Sequence, residues 1–277
     1  MHTEADISKH YESGELLERL RNALQSDNVD PDNPSIQTLA PYDQFHGRGL
    51  EATEELASSL TVTSADHVLD IGSGIGGPAR YFADRFGCRV TGIDLTDEFC
   101  SVARHLTRLL DLEDKVVFEQ GDALKMPFPD EMFDGAYSMN VSMNIADKDT
   151  FYREIYRVLR PNAWLVLSEI ARGSGAEIEY PTPWALTADL SFLATPEDTR
   201  TKLEASGFVV SSLREATKEV LDFGARSRAM VERGEKPPHR AVQLIHGDLA
   251  AEAATNTARG IAEARIVPVE VICTKPH

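Results

Sequence analysis

Two alternating hydrophobic patterns run through the middle of the chain, and they predict strands that alternate with helices. Short apolar runs have the length of buried strands. Between them, apolar residues recur every three to four positions, as on one face of a helix. The predicted strands are 67–72, 89–94, 116–119, 133–139 and 164–168, and the predicted helices are 79–86, 99–110 and 151–159. This order predicts right-handed βαβ units and a mostly parallel sheet.

The pattern changes on both sides of this region. Four leucines at helical spacing (Leu16, Leu17, Leu20 and Leu24) predict an amphipathic helix near the start. After residue 170 we expect an irregular aromatic segment, a helix at 196–206, a strand at 208–213, a helical stretch at 216–262 and a last strand at 266–273. We therefore predict an N-terminal helical lid (1–55), a core (56–215 and 263–277) and a helical cap insertion (216–262). Such additions to an open α/β sheet commonly cover the substrate side.

Charge excludes some partners. The chain has 277 residues, with 28 Lys and Arg against 45 Asp and Glu, so its net charge is −17. Because this charge repels phosphate, we expect neither nucleic acid nor an anionic membrane surface as a partner. The hydrophobic share of 42% is ordinary for a globular protein.

Cysteine usage and the N-terminal sequence indicate a cellular compartment. The three cysteines are far apart and form no C-x-x-C pair, which argues against a disulfide framework or a zinc site. The first fifteen residues are polar and acidic, unlike a signal peptide, and no apolar run approaches the ~20 residues of a membrane-spanning helix. The histidines show no metal-ligand spacing. We expect a cytoplasmic protein without a metal, and its oligomeric state stays open.

A glycine-rich turn follows the first predicted strand. Gly72, Gly74 and Gly77 allow a sharp turn and a close approach of the backbone to a ligand, and the next helix presents free N–H groups. Asp94 ends the second strand, where a carboxylate can accept hydrogen bonds from a ribose diol. These features fit NAD, FAD or S-adenosylmethionine (SAM).

Two further carboxylates favour SAM. Asp70 lies two residues before the glycine turn, where it would repel a pyrophosphate but attract the amino group of SAM. Asp122 follows the third strand, where the amino group of an adenine can donate to it. A dinucleotide is therefore disfavoured.

Four segments resemble the successive motifs of class I SAM-dependent methyltransferases. They read VLDIGSGIGGPARYFA, VTGIDLT, GDALKMPFPDEMFDGAYSMNVSMNIAD and FYREIYRVLRPNAWLVLSE, in family order, over about residues 66–170. The resemblance implies a Rossmann-like sheet of seven strands, mostly parallel with an antiparallel last strand, and SAM as the cofactor. Asn162 and Ala163 depart from it, since the family usually has two glycines there.

The resemblance also implies which residues bind SAM. Asp70, Gly72, Ser73 and Gly74 would hold its methionine end, and Asp94 its ribose. The residues implied around the adenine and the sulfonium are Leu95, Asp122, Ala123 and Asn140. The stretch from Tyr42 to Gly49 is similar to the N-terminal lid of sarcosine and dimethylglycine N-methyltransferases and related small-molecule enzymes, which implies that Tyr42 and Gln44 touch the methionine part.

Catalytic and acceptor-binding residues are predicted from chemistry and position. His46 is the candidate base, because it lies in the lid motif and histidine titrates near neutral pH. Trp184 and Tyr180 offer aromatic faces to a methylated amine. The residues expected at the acceptor are Met143, Asn144, Tyr180 and Trp184.

The predicted function is methyl transfer from SAM to a small-molecule acceptor. An amine similar to sarcosine or dimethylglycine comes first by resemblance. The alternatives are an oxygen or carbon acceptor in a natural product, sugar or quinone. A SAM-binding module without catalysis and an NAD-dependent oxidoreductase are more remote.

Overall fold

A computed structural model of the chain describes residues 14–277. The first part of the predicted lid, and most of the polar stretch that argued against a signal peptide, lie outside these residues. Seven strands form one sheet; they are β1 (His67–Ile71), β2 (Arg89–Asp94), β3 (Val116–Gln120), β4 (Phe133–Met139), β5 (Leu159–Arg172), β6 (Val209–Glu215) and β7 (Ile266–Thr274). All five strands of the predicted βα region are present, and two begin and end at the expected residues.

The sheet has the order β3-β2-β1-β4-β5-β7-β6. The first five strands in chain order pair in parallel, whereas β7 lies antiparallel to both β5 and β6. The sheet therefore confirms the predicted α/β class, with seven strands and an antiparallel last one. Because β7 runs backwards, its first residues lie beside the carboxyl end of β5, where Glu270 pairs with Ser168.

Ten helices surround this sheet in the described chain. They are α1 (Leu16–Ser26), α2 (Ile36–Asp43), α3 (Leu50–Ser58), α4 (Gly77–Phe86), α5 (Asp97–Leu109), α6 (Lys148–Val158), α7 (Pro196–Ala205), α8 (Thr217–Glu232), α9 (Ala241–His246) and α10 (Ala250–Ala262). No helix among residues 14–277 has both the length and the apolar character needed to cross a membrane.

Two apolar cores lie on the two faces of the sheet. One joins inward side chains of β1, β4 and β5 to α6, and includes Leu69, Phe151 and Leu165. The other joins the opposite faces of these strands to α3 and α4, and includes Val68 and Phe82. Successive residues such as Val68 and Leu69 enter different cores because side chains alternate across a strand.

Helices α2 and α3 were not predicted. Helix α2 begins at a capping box in which the Ser35 hydroxyl accepts a hydrogen bond from Thr38 N, and the Thr38 hydroxyl accepts one from Ser35 N. Pro41 lies inside this short helix, which hides its pattern in the sequence. The end of α2 is fixed to α4, because Arg80 Nη2 donates to Asp43 Oδ2 at 2.9 Å and both side chains are almost fully buried.

The departure at Asn162 has a local explanation. Its φ is +67°, a left-handed value that suits glycine and that asparagine tolerates better than most residues. Its N–H donates to the carbonyl oxygen of Lys275 at 2.8 Å. Strand β5 thus begins at Leu159, earlier than predicted, and passes through Pro161 and this bend.

Helices α8, α9 and α10 lie between β6 and β7 in the chain. The insertion starts and ends at one place, since Ala216 N donates to the Pro268 carbonyl oxygen at 2.8 Å. We use cap for residues 216–262 and lid for the described residues 14–55; the division into domains stays a prediction.

Candidate functional site

A cavity of about 890 Å³ lies at the edge of the sheet where β1, β2, β4 and β5 end. This volume is near the upper end of the ~300–1,000 Å³ that small-molecule sites occupy. Residues 45–48 of the lid, the irregular segment around Trp184 and all three cap helices complete its wall. The predicted site residues that line it are His46, Asp70, Gly72, Ser73, Gly74, Asp94, Leu95, Asp122, Ala123, Asn140, Met143, Asn144 and Trp184.

The glycine turn after β1 is tightly enclosed. Gly72 and Gly74 have φ values of +70° and +53°, which side chains rarely adopt. A Cβ atom at Gly72 would lie 2.2 Å from Cγ2 of Val141, and one at Gly74 would lie 3.0 Å from the ring of Phe45. These positions therefore require glycine, and the turn brings backbone against the cavity.

Asp94 holds the turn in place from the next strand. Its Oδ2 accepts a hydrogen bond from Gly74 N at 2.8 Å, and its Oδ1 accepts one from Thr96 N at 2.9 Å. Each carboxylate oxygen keeps a further lone pair for a ligand. Burial raises the pKa of Asp94, and these backbone donors oppose the rise.

Asp70 is a buried acid with an unused oxygen. Its side chain lines the cavity, and its Oδ2 has no hydrogen-bond partner among the described residues. The hydroxyl of Ser73 is also buried and unpaired within residues 14–277. Burial raises the pKa of Asp70 to about 7; Asp94 adds to this rise, and Tyr137 and Arg80 oppose it. Because an orphaned buried acceptor is costly, this pair of groups fits a ligand that brings donors, such as an ammonium group.

Beyond the glycine turn and Asp94, the cavity wall is formed by residues that follow β2 and β3. Asp122 Oδ1 accepts a hydrogen bond from Leu124 N at 2.8 Å, which orients the carboxylate at the wall. Leu95 and Ala123 provide apolar surface beside it. The structure thus brings together the residues predicted for a ribose and an adenine.

Tyr42 and Gln44 do not lie where they were predicted. The Tyr42 hydroxyl donates to Asp27 Oδ2 at 2.8 Å, and Arg240 lies over its ring at 4.5 Å, so Tyr42 packs between α1 and the cap instead of lining the cavity. Gln44 is fully buried behind the wall, where it accepts a hydrogen bond from the Thr53 hydroxyl at 2.7 Å. Neither residue lines the cavity, because the chain turns after α2 and points the next residues, Phe45 and His46, at it.

His46 lines the cavity but is held by the lid. Its Nδ1 lies 3.1 Å from the carbonyl oxygen of Gly47, so we assign the ring proton to Nδ1. Its Nε2 then lies 3.0 Å from the oxygen of the Thr53 hydroxyl, whose proton is donated to Gln44. Burial lowers the pKa of His46 to about 3, with the Gly47 carbonyl opposing and His239 and Arg48 adding to the effect. The imidazole is therefore neutral, and both ring nitrogens contact the protein, which favours a positioning role over proton transfer.

The predicted acceptor residues divide into two groups. Met143, Asn144 and Trp184 line the cavity; Asn144 Nδ2 donates to the Trp184 carbonyl oxygen at 2.7 Å, and Trp184 Nε1 donates to Ser191 Oγ at 2.9 Å. Tyr180 instead faces a separate shallow hollow beside α10. The structure therefore does not bring Tyr180 together with the other predicted acceptor residues, because the chain bends between Tyr180 and Trp184.

The cap supplies cavity residues that sequence reasoning missed. His239 is partly buried, and its Nε2 contacts the carbonyl oxygen of Gln44 at 2.9 Å. Val242 and Ile245 on α9 face the cavity, as does Ile261 on α10. Their helical spacing was visible in the sequence, but the cavity to which the helix turns was not. Within residues 14–277, no group of three or more His, Cys, Asp or Glu side chains is placed to hold a metal ion.

One family model matches part of the chain. Residues 69–167 match the family described as methyltransferase domain. Methyltransferase GfsG of Streptomyces halstedii is 34% identical over 169 residues, which cover 60% of this chain and 58% of that protein. The chain thus spans less than two thirds of this relative.

Two solved structures share the fold. The [4+2]-cyclase SpnF superposes with a TM-score of 0.72 at 20% identity, covering 99% of this chain and 97% of that one. Phosphoethanolamine N-methyltransferase 2 of Haemonchus contortus, solved with phosphomonomethylethanolamine and S-adenosylhomocysteine, gives 0.70 at 18% identity, covering 95% and 60%. At these identities the likeness concerns the fold, which different reactions share.

Proposed function

Because the chain contains a class I SAM-dependent methyltransferase domain, we propose that the protein transfers the methyl group of SAM to a small-molecule acceptor. The observation that carries the proposal is the buried carboxylate of Asp70, a residue that lines the cavity and whose Oδ2, like the hydroxyl of the lining residue Ser73, has no hydrogen-bond partner within residues 14–277. An oxidoreductase that binds a dinucleotide would place pyrophosphate against this carboxylate, where the charges repel.

We call the part of the cavity lined by residues 70, 72–74, 94–95 and 122–123 the donor half, and the part between Trp184 and the cap the acceptor half. The donor half fits SAM residue by residue. Asp70 and Ser73 would hold the amino group of its methionine part, against the backbone of the glycine turn. Asp94 would accept the ribose hydroxyls with its remaining lone pairs, since Gly74 and Thr96 already orient both oxygens. Asp122 would accept the amino group of the adenine.

Methyl transfer requires alignment and a dry site more than acid–base groups. Bound SAM supplies an electrophilic methyl group on a positively charged sulfur. The chain's part is to hold the acceptor about 3–3.5 Å from that methyl and to exclude water. Asn140 and Met143 would line the passage between the two halves, and His46 would fix the lid over it through Gly47 and Thr53.

The methylated atom of the acceptor could be nitrogen, oxygen or carbon. The resemblance of the lid favours an amine similar to sarcosine or dimethylglycine, and an oxygen or carbon acceptor fits the donor half equally well. A second candidate is a domain that binds SAM without transferring its methyl group. The fold alone does not decide against it, since the [4+2]-cyclase SpnF shares this fold. The second half of the cavity opposes it, because a binding module does not need space for an acceptor.

Calorimetric titration of the purified chain with SAM, and with NAD as control, tests the proposal. We expect micromolar binding of SAM and none of NAD. Incubation with methyl-labelled SAM and a panel of amines, alcohols and phenols then tests transfer. NAD binding without SAM binding would refute the assignment of Asp70 and with it the site.

A further inference from the structure

The acceptor half of the cavity has an apolar wall. It is formed by the aromatic rings of Trp184 and Phe192, by Val220 on α8, by Val242 and Ile245 on α9, and by Ile261 on α10. These side chains come from four separate segments that converge on one volume. Such a wall gains free energy only when a ligand removes its apolar surface from water.

Positive charge on this side is already neutralised. Arg48 is the one lysine or arginine among the described residues that line the cavity. Its guanidinium contacts Glu55 at 2.6 Å, Glu270 at 3.4 Å and Glu51 at 3.5 Å, and its side chain is 3% exposed. A carboxylate or phosphate on an acceptor would have to displace one of these partners.

Two histidines in the wall, His46 and His239, offer no replacement cation. Burial lowers the pKa of His46 to about 3 and also lowers the pKa of His239. Both are therefore neutral at physiological pH. The net charge of −17 adds a general repulsion of anionic ligands.

The polar groups in the wall are also occupied. Asn144 Nδ2 donates to the carbonyl oxygens of Trp184 and Leu190. Glu169 Oε2 accepts hydrogen bonds from Val141 N and Ser142 N, both at 3.1 Å. The polar groups of a highly polar ligand would therefore find no partners in this wall, and each group left unpaired would cost about 1–3 kcal/mol of binding free energy.

One polar position stays open where the two halves meet. Ser168 on β5, which pairs with Met139 at the end of β4, lines the cavity beside Asn140, whose N–H donates to the Ser168 carbonyl oxygen at 2.8 Å. Neither side chain makes a hydrogen bond to another residue in the described part of the chain. They can therefore receive one polar group of an acceptor next to the donor half.

We propose that the acceptor is an uncharged, largely apolar molecule with a single polar group at its methylated end, and not an amino acid or a phosphate ester. Its apolar body would lie between Trp184 and the cap helices, and its polar group at Ser168 and Asn140. This inference rests on the proposed function, because it takes the donor half as occupied by SAM. It replaces the sarcosine-like acceptor with a different chemical class.

The test uses the whole chain loaded with S-adenosylhomocysteine, so that only the acceptor half is free. The neutral fluorophore N-phenyl-1-naphthylamine reports binding. We expect one fluorophore per chain, displaced by 1-decanol but not by millimolar sarcosine, dimethylglycine or phosphoethanolamine. Displacement by these charged compounds at the concentration at which decanol acts, or no fluorophore binding at all, would overturn the inference.

A matched pair of variants locates the fluorophore. Val220→Glu places a carboxylate on the cavity wall, whereas Leu221→Glu adds the same charge to an outward position of the same helix, where the residue is 39% exposed. We expect Val220→Glu to weaken fluorophore binding at least about tenfold and Leu221→Glu to leave it unchanged. Equal binding by both variants would refute the site. If Val220→Glu does not fold, the competition experiment on the unmodified chain is the deciding test.

Calorimetry with S-adenosylhomocysteine separates this inference from the proposed function. Binding of that molecule with displacement of the fluorophore by charged acceptors refutes the inference alone. Absence of its binding refutes the proposed function.

Discussion

Replacement of Asp70 by asparagine tests the donor half most directly. The substitution keeps the shape of the side chain but removes the charge from a group that is 3% exposed and has one oxygen without a partner in residues 14–277. A hydrogen bond between charged groups contributes about 1.5–3 kcal/mol, so the dissociation constant of SAM should rise about 10- to 150-fold.

The pH dependence of binding gives a second, independent magnitude. The pKa of Asp70 is raised to about 7, so the free protein carries this group protonated at lower pH. Between pH 6 and pH 7 its ionised fraction rises from about 0.09 to about 0.5, and the affinity for SAM should rise about fivefold. The amino group of the ligand stays mostly protonated in this range, since such groups titrate near 7.7–8.0.

Calorimetry at pH 6, 6.5 and 7 measures both effects. In Asp70→Asn the dependence on pH should be absent. The control is Asp111→Asn, which removes one negative charge from an exposed position and should bind SAM as the unmodified chain does. A flat pH profile of the unmodified chain, or an unchanged affinity of Asp70→Asn, would refute the reasoning.

Three further predictions concern other parts of the site. Asp94→Ala should weaken SAM binding by at least about 1.5 kcal/mol, because it removes acceptors for the ribose; an unchanged calorimetric affinity would contradict this. His46→Ala should lower kcat at least about tenfold while the dissociation constant of SAM changes less than about threefold, and equal losses in steady-state kinetics and calorimetry would instead make His46 a cofactor contact. Arg80→Met leaves the Asp43 carboxylate buried and unpaired, so the free energy of unfolding in urea should fall by about 3–5 kcal/mol. The exposed Arg85→Met is its control and should change stability by less than about 0.5 kcal/mol; equal effects of both variants would contradict the importance of the buried pair.

The parts of the fold that could be predicted are those encoded by local sequence. Strands such as β2 and β4 are short segments of mostly apolar and small residues, so their limits were readable. The glycine turn and the carboxylates Asp70 and Asp94 were placed because they follow strands directly, and parallel strands end at one edge. The family match over residues 69–167 covers this region.

The residues that the structure places away from their expected positions are held by contacts between distant segments. Tyr42 was assigned to SAM by its place in the lid motif, but its hydroxyl donates to Asp27 and Arg240 of the cap packs over its ring. Tyr180 and Trp184 are neighbours in sequence, yet only Trp184 reaches the cavity. His239 in the cap likewise contacts the distant lid at Gln44. A single sequence does not encode such long-range pairings in its periodicity.

The hydrogen bond between Ala216 and Pro268 has a consequence for how this protein could diversify. The cap begins after β6 and ends before β7, and this hydrogen bond joins the two strands next to it. The two ends of the cap are therefore held close together, whatever the length of the helices between them. Replacement of the cap by another segment would change the cavity volume available to the acceptor, while the strands around the donor half kept their register. Selection can thus vary the molecule that is modified without rebuilding the half that carries the reactive group.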